Sequence, residues 1–424
     1  MTDLTLSGPG GPFTASVDVP GDKSLSHRAL LFAAIAEGDS LITGLGPGED
    51  IQTTATALHA LGVSVSGQQI RSPGIANWTT PESPIDCGNS GTTIRLLAGV
   101  LSTSHVKTTL VGDASLSQRP MGRLIQPLRS LGGAFATSKG ATPPLDVGGI
   151  EDAESANVTI DIASAQVRTA FELAALASDG PSTIDSPSGF RDHTERWLSA
   201  VGRGEWETDT RFRIDPGPIP PSQYGVPGDP SSAAFMWACA AIEPGAAVTT
   251  PQISLNPGRL GFLQILEQMG TRVVARVTGA TGGDPVGDVT VTGGRLRGTS
   301  IEGDLVASAL DELPLVAVLG AYAEGITSVR DATELRTKES DRIEAVVAMI
   351  RALGGGIEPK SDGFDVVGTG FLDGGVVETA LDHRIAMAGA VAATKANQPV
   401  VIKDASIVSV SWPGFYAALE GLWS

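Results

Sequence analysis

The chain is poor in cysteine, in aromatic residues and in positive charge, and each shortage excludes a class of protein. Two cysteines in 424 residues, Cys87 and Cys239, cannot build a disulfide framework, and neither lies in a spacing suited to zinc. A reducing, cytoplasmic location is therefore expected, and no metal site. Lys and Arg total 29 against 47 Asp and Glu, a net charge of −18, which leaves no general basic surface for nucleic acid. Any anion this protein handles must be small and locally held. The longest apolar runs, Ala233–Ile242 and Leu313–Ala323, fall short of the roughly 18 residues that a membrane helix needs. The opening residues MTDLTLSGPGGPF carry neither a basic segment nor an apolar one, so no targeting leader and no membrane association are expected.

Core-forming residues and turn formers are plentiful. With 41% hydrophobic residues over this length, two or more domains with substantial cores are expected. The 53 glycines and 27 prolines punctuate many short elements. Amphipathic segments ending in an apolar residue and glycine recur as ATALHALG to Gly62, LIQPLRSLG to Gly132, RWLSAVG to Gly202, FLQILEQMG to Gly270 and VVAMIRALG to Gly354, at intervals of 70, 70, 68 and 84 residues. FYAALEGL is a sixth candidate near the end of the chain.

Between them lie segments apolar nearly all round: RALLFAAIAEG, IRLLAGVLS, VRTAFELAALASDG, SSAAFMWACAAIEPG, ELPLVAVLGAYAEG and RIAMAGAVAAT. Such helices must be buried on all sides. Six units of about 70 residues, each alternating buried helix, strand, amphipathic helix and strands, predict an α/β fold of two three-unit domains with helices inside and sheets outside. The turn-rich stretch Pro216–Ser232 and VPGDKS near Pro20 are the expected crossing points. They bound an inserted domain at 20–229, with a discontinuous one at 1–19 plus 230–424. A ligand site is expected in the cleft between the two.

The buried segments begin with residues a core helix does not need. PGDKSLSHR sets Lys23, Ser24 and Arg28 at a helix start, where free N–H groups and the helix dipole favour an anion. Asp22 stands where a P-loop requires glycine, and no GxGxxG follows a strand. DCGNSGTTIRLL supplies Asn89 and Gly91 ahead of a second buried helix and Arg95 within it. ASAQVR places Ser164, Ala165 and Gln166 at a third, FRDHTER adds Arg191, and SLSQRPMGR adds Arg119 before a proline.

In LRTKESDRIEAVVAMI the spacing of Lys338, Glu339 and Arg342 describes an ordinary salt-bridged helix surface. LDHRIAMAG is harder to explain so, because Arg384, with His383, sits against a buried helix where an unmatched cation is costly. Asp311, at the edge of an apolar run, could serve as a base. Lys23, Arg28, Arg119, Arg191, Lys338, Arg342 and Arg384 are thus seven cations near helix starts in different repeats, which points to substrates bearing phosphates and carboxylates.

Six of these stretches, in order, resemble the motifs of the 5-enolpyruvylshikimate-3-phosphate synthase family: VPGDKSLSHRALLFAAIA, GNSGTTIRLL, GDASLSQRPMGRL, SAQVRTA, LRTKESDR and DHRIAM. The resemblance implies a two-domain inside-out barrel of βαβαββ-like units. It also implies transfer of an enolpyruvyl group from phosphoenolpyruvate to the 5-hydroxyl of shikimate 3-phosphate through a tetrahedral adduct, without cofactor or metal, by a monomer. By motif position, Lys23, Ser24, Arg28, Ser164, Ala165, Gln166, Arg191, Asp311 and Lys338 would hold shikimate 3-phosphate. Lys23, Gly91, Arg119, Gln166, Arg342 and Arg384 would hold phosphoenolpyruvate, with Asn89 and His383 in support. Asp311 would be the base, Glu339 the acid, and Lys23 a third catalytic group.

Two positions depart from the pattern. Val410 stands where many members carry lysine, and Ala165 replaces a second serine. Gly91 is kept where some herbicide-tolerant members have alanine, so glyphosate is expected to compete with phosphoenolpyruvate. A sister enzyme acting on UDP-N-acetylglucosamine usually has a cysteine in the loop that reads GDASLSQRP here, and a non-catalytic anion-binding protein is the reading from another class.

Overall fold

The computed structural model describes residues 2–150 and 152–423. The chain divides into two compact units, one of Lys23–Val226 with Ala280–Asp284, the other of Met1–Asp22, Pro227–Gly279 and Pro285–Ser424.

The unit beginning at Lys23 contains α1 (Lys23–Ile35), α2 (Glu49–Ala60), α3 (Gly91–Ser102), α4 (Gly122–Arg129), α5 (Ala165–Ala175) and α6 (His193–Ala200). The odd-numbered helices are the apolar segments read above, and burial covers nearly the whole of each, including all of α3 except Thr92. The other unit contains α7 (Pro230–Ile242), α8 (Gly261–Gln268), α9 (Asp304–Ala309), α10 (Leu313–Tyr322), α11 (Arg342–Ala352), α12 (His383–Ala393) and α13 (Phe415–Glu420). Every residue of α7 and of α10 is buried, because neither helix has a polar face to present to water.

Each buried helix leads into a strand, and that strand has the same neighbours in all six sheets. In the first unit the strands Glu37–Thr43, Thr108–Val111 and Ser182–Asp185 each pair in parallel on one side and antiparallel on the other. In the second, Ala247–Ser254, Glu324–Val329 and Val400–Ile402 do the same. Segments distant in the chain fill the remaining places in this pattern. Gln223–Gly225 returns to Glu37–Thr43, while the N-terminal strands Thr14–Ser16 and Leu4–Leu6 complete the sheets of Ala247–Ser254 and Val400–Ile402. Each unit encloses its own hydrophobic core.

The glycines that end the amphipathic segments, at 62, 132, 202, 270 and 354, have φ between 69° and 96°, the left-handed backbone that stops a helix without a Cβ penalty. One sequence expectation needs amending. The helical run Asp304–Tyr322 reaches 19 residues, long and apolar enough by those measures to cross a membrane. A tighter turn at Leu310–Glu312 interrupts it, and most of the run is buried inside the protein, so it functions as core.

The interior of the first unit depends on close contact between α3 and α5. A Cβ on Gly99 would lie 2.4 Å from the Ala170 carbonyl oxygen and 2.6 Å from its Cα. Both are backbone atoms on a buried helix and cannot turn aside. Gly99→Ala is expected to cost about 3 kcal/mol in denaturant unfolding, whereas Gly279→Ala, with nothing within 4 Å of the new atom, should be close to neutral.

Candidate active site

In the first unit the candidate residues meet where buried helices begin. Lys23 opens α1 and forms an ion pair with Asp50 near the start of α2. One turn on, buried Arg28 is held in a fixed pose. Its Nε donates to the Thr194 hydroxyl at 2.8 Å, Nη2 to the Thr169 hydroxyl at 2.7 Å and Nη1 to the Ser24 carbonyl at 3.0 Å. A buried hydrogen-bonded chain from His27 through Thr54 and Thr93 to Ser90, each link 2.7 Å, ties α1 and α2 to the start of α3. Burial pushes the His27 imidazole down to about 3, so it stays neutral within this chain.

Gly91 is the first residue of α3, and its backbone is approached by two guanidinium groups. A Cβ there would stand 2.8 Å from Arg95 Nη1 and 3.1 Å from Arg119 Nη1. Cations converging on a helix N-terminus make a site for a small anion. Arg119 donates to Asn89 Oδ1 at 2.9 Å, and Asn89 in turn donates to Asp113 at 2.6 Å. Arg95 donates to Gln166 Oε1 at 3.0 Å, while Gln166 donates to the Thr92 hydroxyl at the same distance, which brings the start of α5 to the start of α3. Ser164 precedes α5, and its side chain does not cap the helix. Arg191 lies two residues before α6, next to Phe190, whose ring is 4.2 Å from the Arg168 guanidinium.

Behind these residues lies a buried charged group. Arg168 donates to Glu195 Oε1 at 2.5 Å and to Ser186 Oγ at 2.9 Å. Burial first, and then the neighbouring Glu195 carboxylate, push Glu172 well above the ordinary carboxyl range. Arg168 Nε lies 3.7 Å from Glu172 Oε1 and favours its charged form, but does not offset burial and Glu195.

The second unit gathers Asp311, Lys338, Glu339, Arg342, His383 and Arg384. Asp311 sits on the tight turn Leu310–Glu312 that leads into α10. Lys338 Nζ lies 3.9 Å, Arg342 Nη1 3.5 Å and Arg384 Nη2 4.0 Å from its carboxylate, and Arg384 Nη1 donates to its carbonyl at 3.0 Å. Arg342 also meets Glu339 at 2.6 Å and Asp382 at 2.8 Å. Burial opposes the Arg342 charge, but Glu339, Asp382 and Asp311 more than restore it and raise its pKa. Asp382 caps α12 and is held below the ordinary range by Arg342 and His383 despite its burial.

This corrects the surface reading of LRTKESDR. Arg342 is almost completely buried as the first residue of α11, and Lys338 and Glu339 precede the helix rather than ride on it. Lys338 pairs with Glu334 at 3.2 Å instead. Val410 ends the short turn Ala405–Val410 with its side chain half-buried. Sequence reasoning passed over Asp382, Asp50, Thr169 and Thr194, the groups that fix the cations. Only Asp382 had a legible signal, a capping residue directly before a basic pair. Among the described residues no three His, Cys, Asp or Glu side chains gather as a metal site.

The upward shift of Glu172 has a measurable consequence. Its folded pKa exceeds its ordinary value of 4.5, so its own contribution to stability is fully present below that pH and is lost as pH rises towards the folded value. Glu172→Gln should abolish this loss, with an advantage over the native chain growing by about 1.4 kcal/mol per pH unit in that window. Urea unfolding at pH 4.5 and 7.5 would measure it; an equal effect at both pH values would contradict the assignment.

The chain is similar to known proteins over nearly its whole length. The pattern of the EPSP synthase (3-phosphoshikimate 1-carboxyvinyltransferase) family matches residues 8–419. A 3-phosphoshikimate 1-carboxyvinyltransferase of Herpetosiphon aurantiacus is 44% identical over 410 residues, covering 95% of each chain. One from Halorhodospira halophila is 40% identical, covering 98% of this chain and 95% of its own. The structure of EPSP synthase from Acinetobacter baumannii superposes with a TM-score of 0.88 at 35% identity, covering all of this chain and 98% of its own. An enolpyruvyl transferase from Streptomyces tendae, at 16% identity and a TM-score of 0.78, shares the fold. With its family pattern, its relatives and its two-unit inside-out α/β fold in agreement, the chain belongs to the EPSP synthase family.

Proposed function

We infer that the protein transfers the enolpyruvyl group of phosphoenolpyruvate to the 5-hydroxyl of shikimate 3-phosphate, releasing phosphate, as a cytoplasmic monomer in the route to aromatic amino acids. The observation that carries the reading is the Asp311 carboxylate, set within 4.0 Å of Lys338, Arg342 and Arg384. Three cations beside a carboxylate can hold the anionic substrates against a base.

Lys23, Ser24, Arg28, Ser164, Ala165, Gln166, Arg191, Asp311 and Lys338 are assigned to shikimate 3-phosphate. Lys23, Gly91, Arg119, Gln166, Arg342 and Arg384 are assigned to phosphoenolpyruvate, with Asn89 and His383 supporting them. Asp311 takes the proton of the 5-hydroxyl as that oxygen attacks C2 of phosphoenolpyruvate, and Glu339 delivers a proton to the methylene carbon. An anion arriving at Arg342 displaces Glu339 from it, and loss of that cation raises the proton affinity Glu339 needs to act as acid. In the second half of the reaction the roles exchange: Glu339 removes a proton from the new methyl group as the C–O bond to phosphate breaks, and Asp311 gives up its proton to the departing phosphate. The guanidinium groups supply orientation and charge stabilisation, which dominate catalysis of a reaction between anions.

The test is phosphate release from phosphoenolpyruvate that requires shikimate 3-phosphate. Turnover with UDP-N-acetylglucosamine in its place, or binding without turnover, would overturn the reading. Glu339→Gln should leave both substrates bound and lower kcat by about 100-fold or more in single-turnover assays. Gly91→Ala must displace the ends of Arg95 and Arg119, since its Cβ would come within 3.1 Å of both. The expected result is an increase of about tenfold in KM for phosphoenolpyruvate, about 1.4 kcal/mol of lost binding. Glyphosate inhibition should be competitive with phosphoenolpyruvate and weakened in the same variant; inhibition indifferent to phosphoenolpyruvate concentration would contradict the assignment.

A further inference from the structure

Arg259 follows Asn256–Pro257–Gly258 on a short turn, lies in none of the family motifs, and is buried with 5% of its surface exposed. Its Nη2 donates to Asp229 Oδ1 at 2.8 Å and to Ser231 Oγ at 2.8 Å, and its Nη1 lies 3.3 Å from Asp22. Asp22 and Asp229 belong to segments joined backbone to backbone, Asp229 N–H donating to the Pro20 carbonyl at 2.9 Å and Asp22 N–H to that of Pro227 at 2.7 Å. Asp229 also caps α7 through the Ser231 amide. The Ser231 hydroxyl donates to the Glu312 carboxylate, and Glu312 lies 3.6 Å from Arg384 Nη1, the atom that also holds the Asp311 carbonyl. An unbroken polar chain therefore runs from Arg259 to the turn that bears Asp311.

We propose that Arg259 is a positioning residue for this reaction: through Ser231 and Glu312 it fixes the turn Leu310–Glu312 that bears Asp311, with its buried positive charge set behind that turn. The inference rests on the assignment of Asp311 as base. A packing residue would serve as well with a neutral side chain, whereas this one places a cation among Asp22, Asp229, Glu312 and Asp311, whose negative fields sustain its charge. Asp311 faces Lys338, Arg342 and Arg384 on its other sides, and Glu339 and Asp382 compete for Arg342. Arg259 is thus a fourth cation near the base, and the one to which no substrate contact is assigned above.

Removing a cation makes a nearby carboxylate easier to protonate. Arg259→Gln should move the acidic limb of the kcat/KM profile for phosphoenolpyruvate up by about one pH unit and lower kcat about tenfold at neutral pH. Arg259→Lys keeps the charge and should restore the limb while leaving kcat reduced. Asp229→Asn retains a capping side chain and removes one of the anions neutralising Arg259, so its limb should move the opposite way, to lower pH. That variant keeps the test decisive if Arg259→Gln fails to fold. A lowered Tm with acidic limbs unmoved in all three would overturn the proposal and leave Arg259 a structural residue. Asp311→Asn separates this from the underlying assignment: full kcat in that variant would remove Asp311 as base, whatever Arg259 does.

Discussion

Helices that are apolar on every face must be covered on every face, and this constraint organises both units. A helix such as α7 or α10, with every residue buried, cannot lie on a surface. Three such helices in each unit cover one another on the inside, and short sheets of the same construction cover them outside. The chain ends obey the same requirement. Strands from residues 4–6 and 14–16 complete sheets whose other members come from the far half of the sequence, the first taking the antiparallel place beside Val400–Ile402 and the second the parallel place beside Ala247–Ser254.

The same burial sets the conditions for the chemistry. A buried helix brings its N-terminus and first-turn side chains out of bulk water, where a cation is costly unless matched. Arg28 is matched by two threonines and a carbonyl, and Arg342 by Asp382 and Glu339. Arg259 is matched by Asp22 and Asp229. Each partner removes rotamer freedom, and the carboxylates neutralise charge as well. The cations are consequently held in place by the protein, and an anionic substrate meets groups already oriented. The negative exterior of a chain with net charge −18 is compatible with this, since the cations that matter lie at a few helix starts.

Where the charge cannot be matched, the structure removes it. His27 is kept neutral by burial, and burial with the neighbouring Glu195 pushes Glu172 towards its neutral form. Lys338, Glu339 and Arg342 show how local spacing misleads. Their i, i+3 and i, i+4 intervals fit an exposed ion-paired helix, yet the helix begins only at Arg342, and the guanidinium turns inward to Asp382, forty residues along the chain. Intervals along a sequence describe neighbours on a helix only after the helix boundary is known.

The six-fold alternation of fully apolar and amphipathic helices, the glycines that stop them and the six ordered motifs were all legible from the residues alone. Hydrophobic periodicity and left-handed glycine positions are local properties that any reader of the chain can recover. What only the tertiary structure decided is which side chains answer one another: Arg28 with Thr169 and Thr194, Arg342 with Asp382, Arg259 with Asp22 and Asp229. These partners are 30 to 237 residues apart in the chain. No local pattern connects them, because their meeting depends on how the buried helices of separate repeats pack, and that packing is settled by shape and burial over the whole unit.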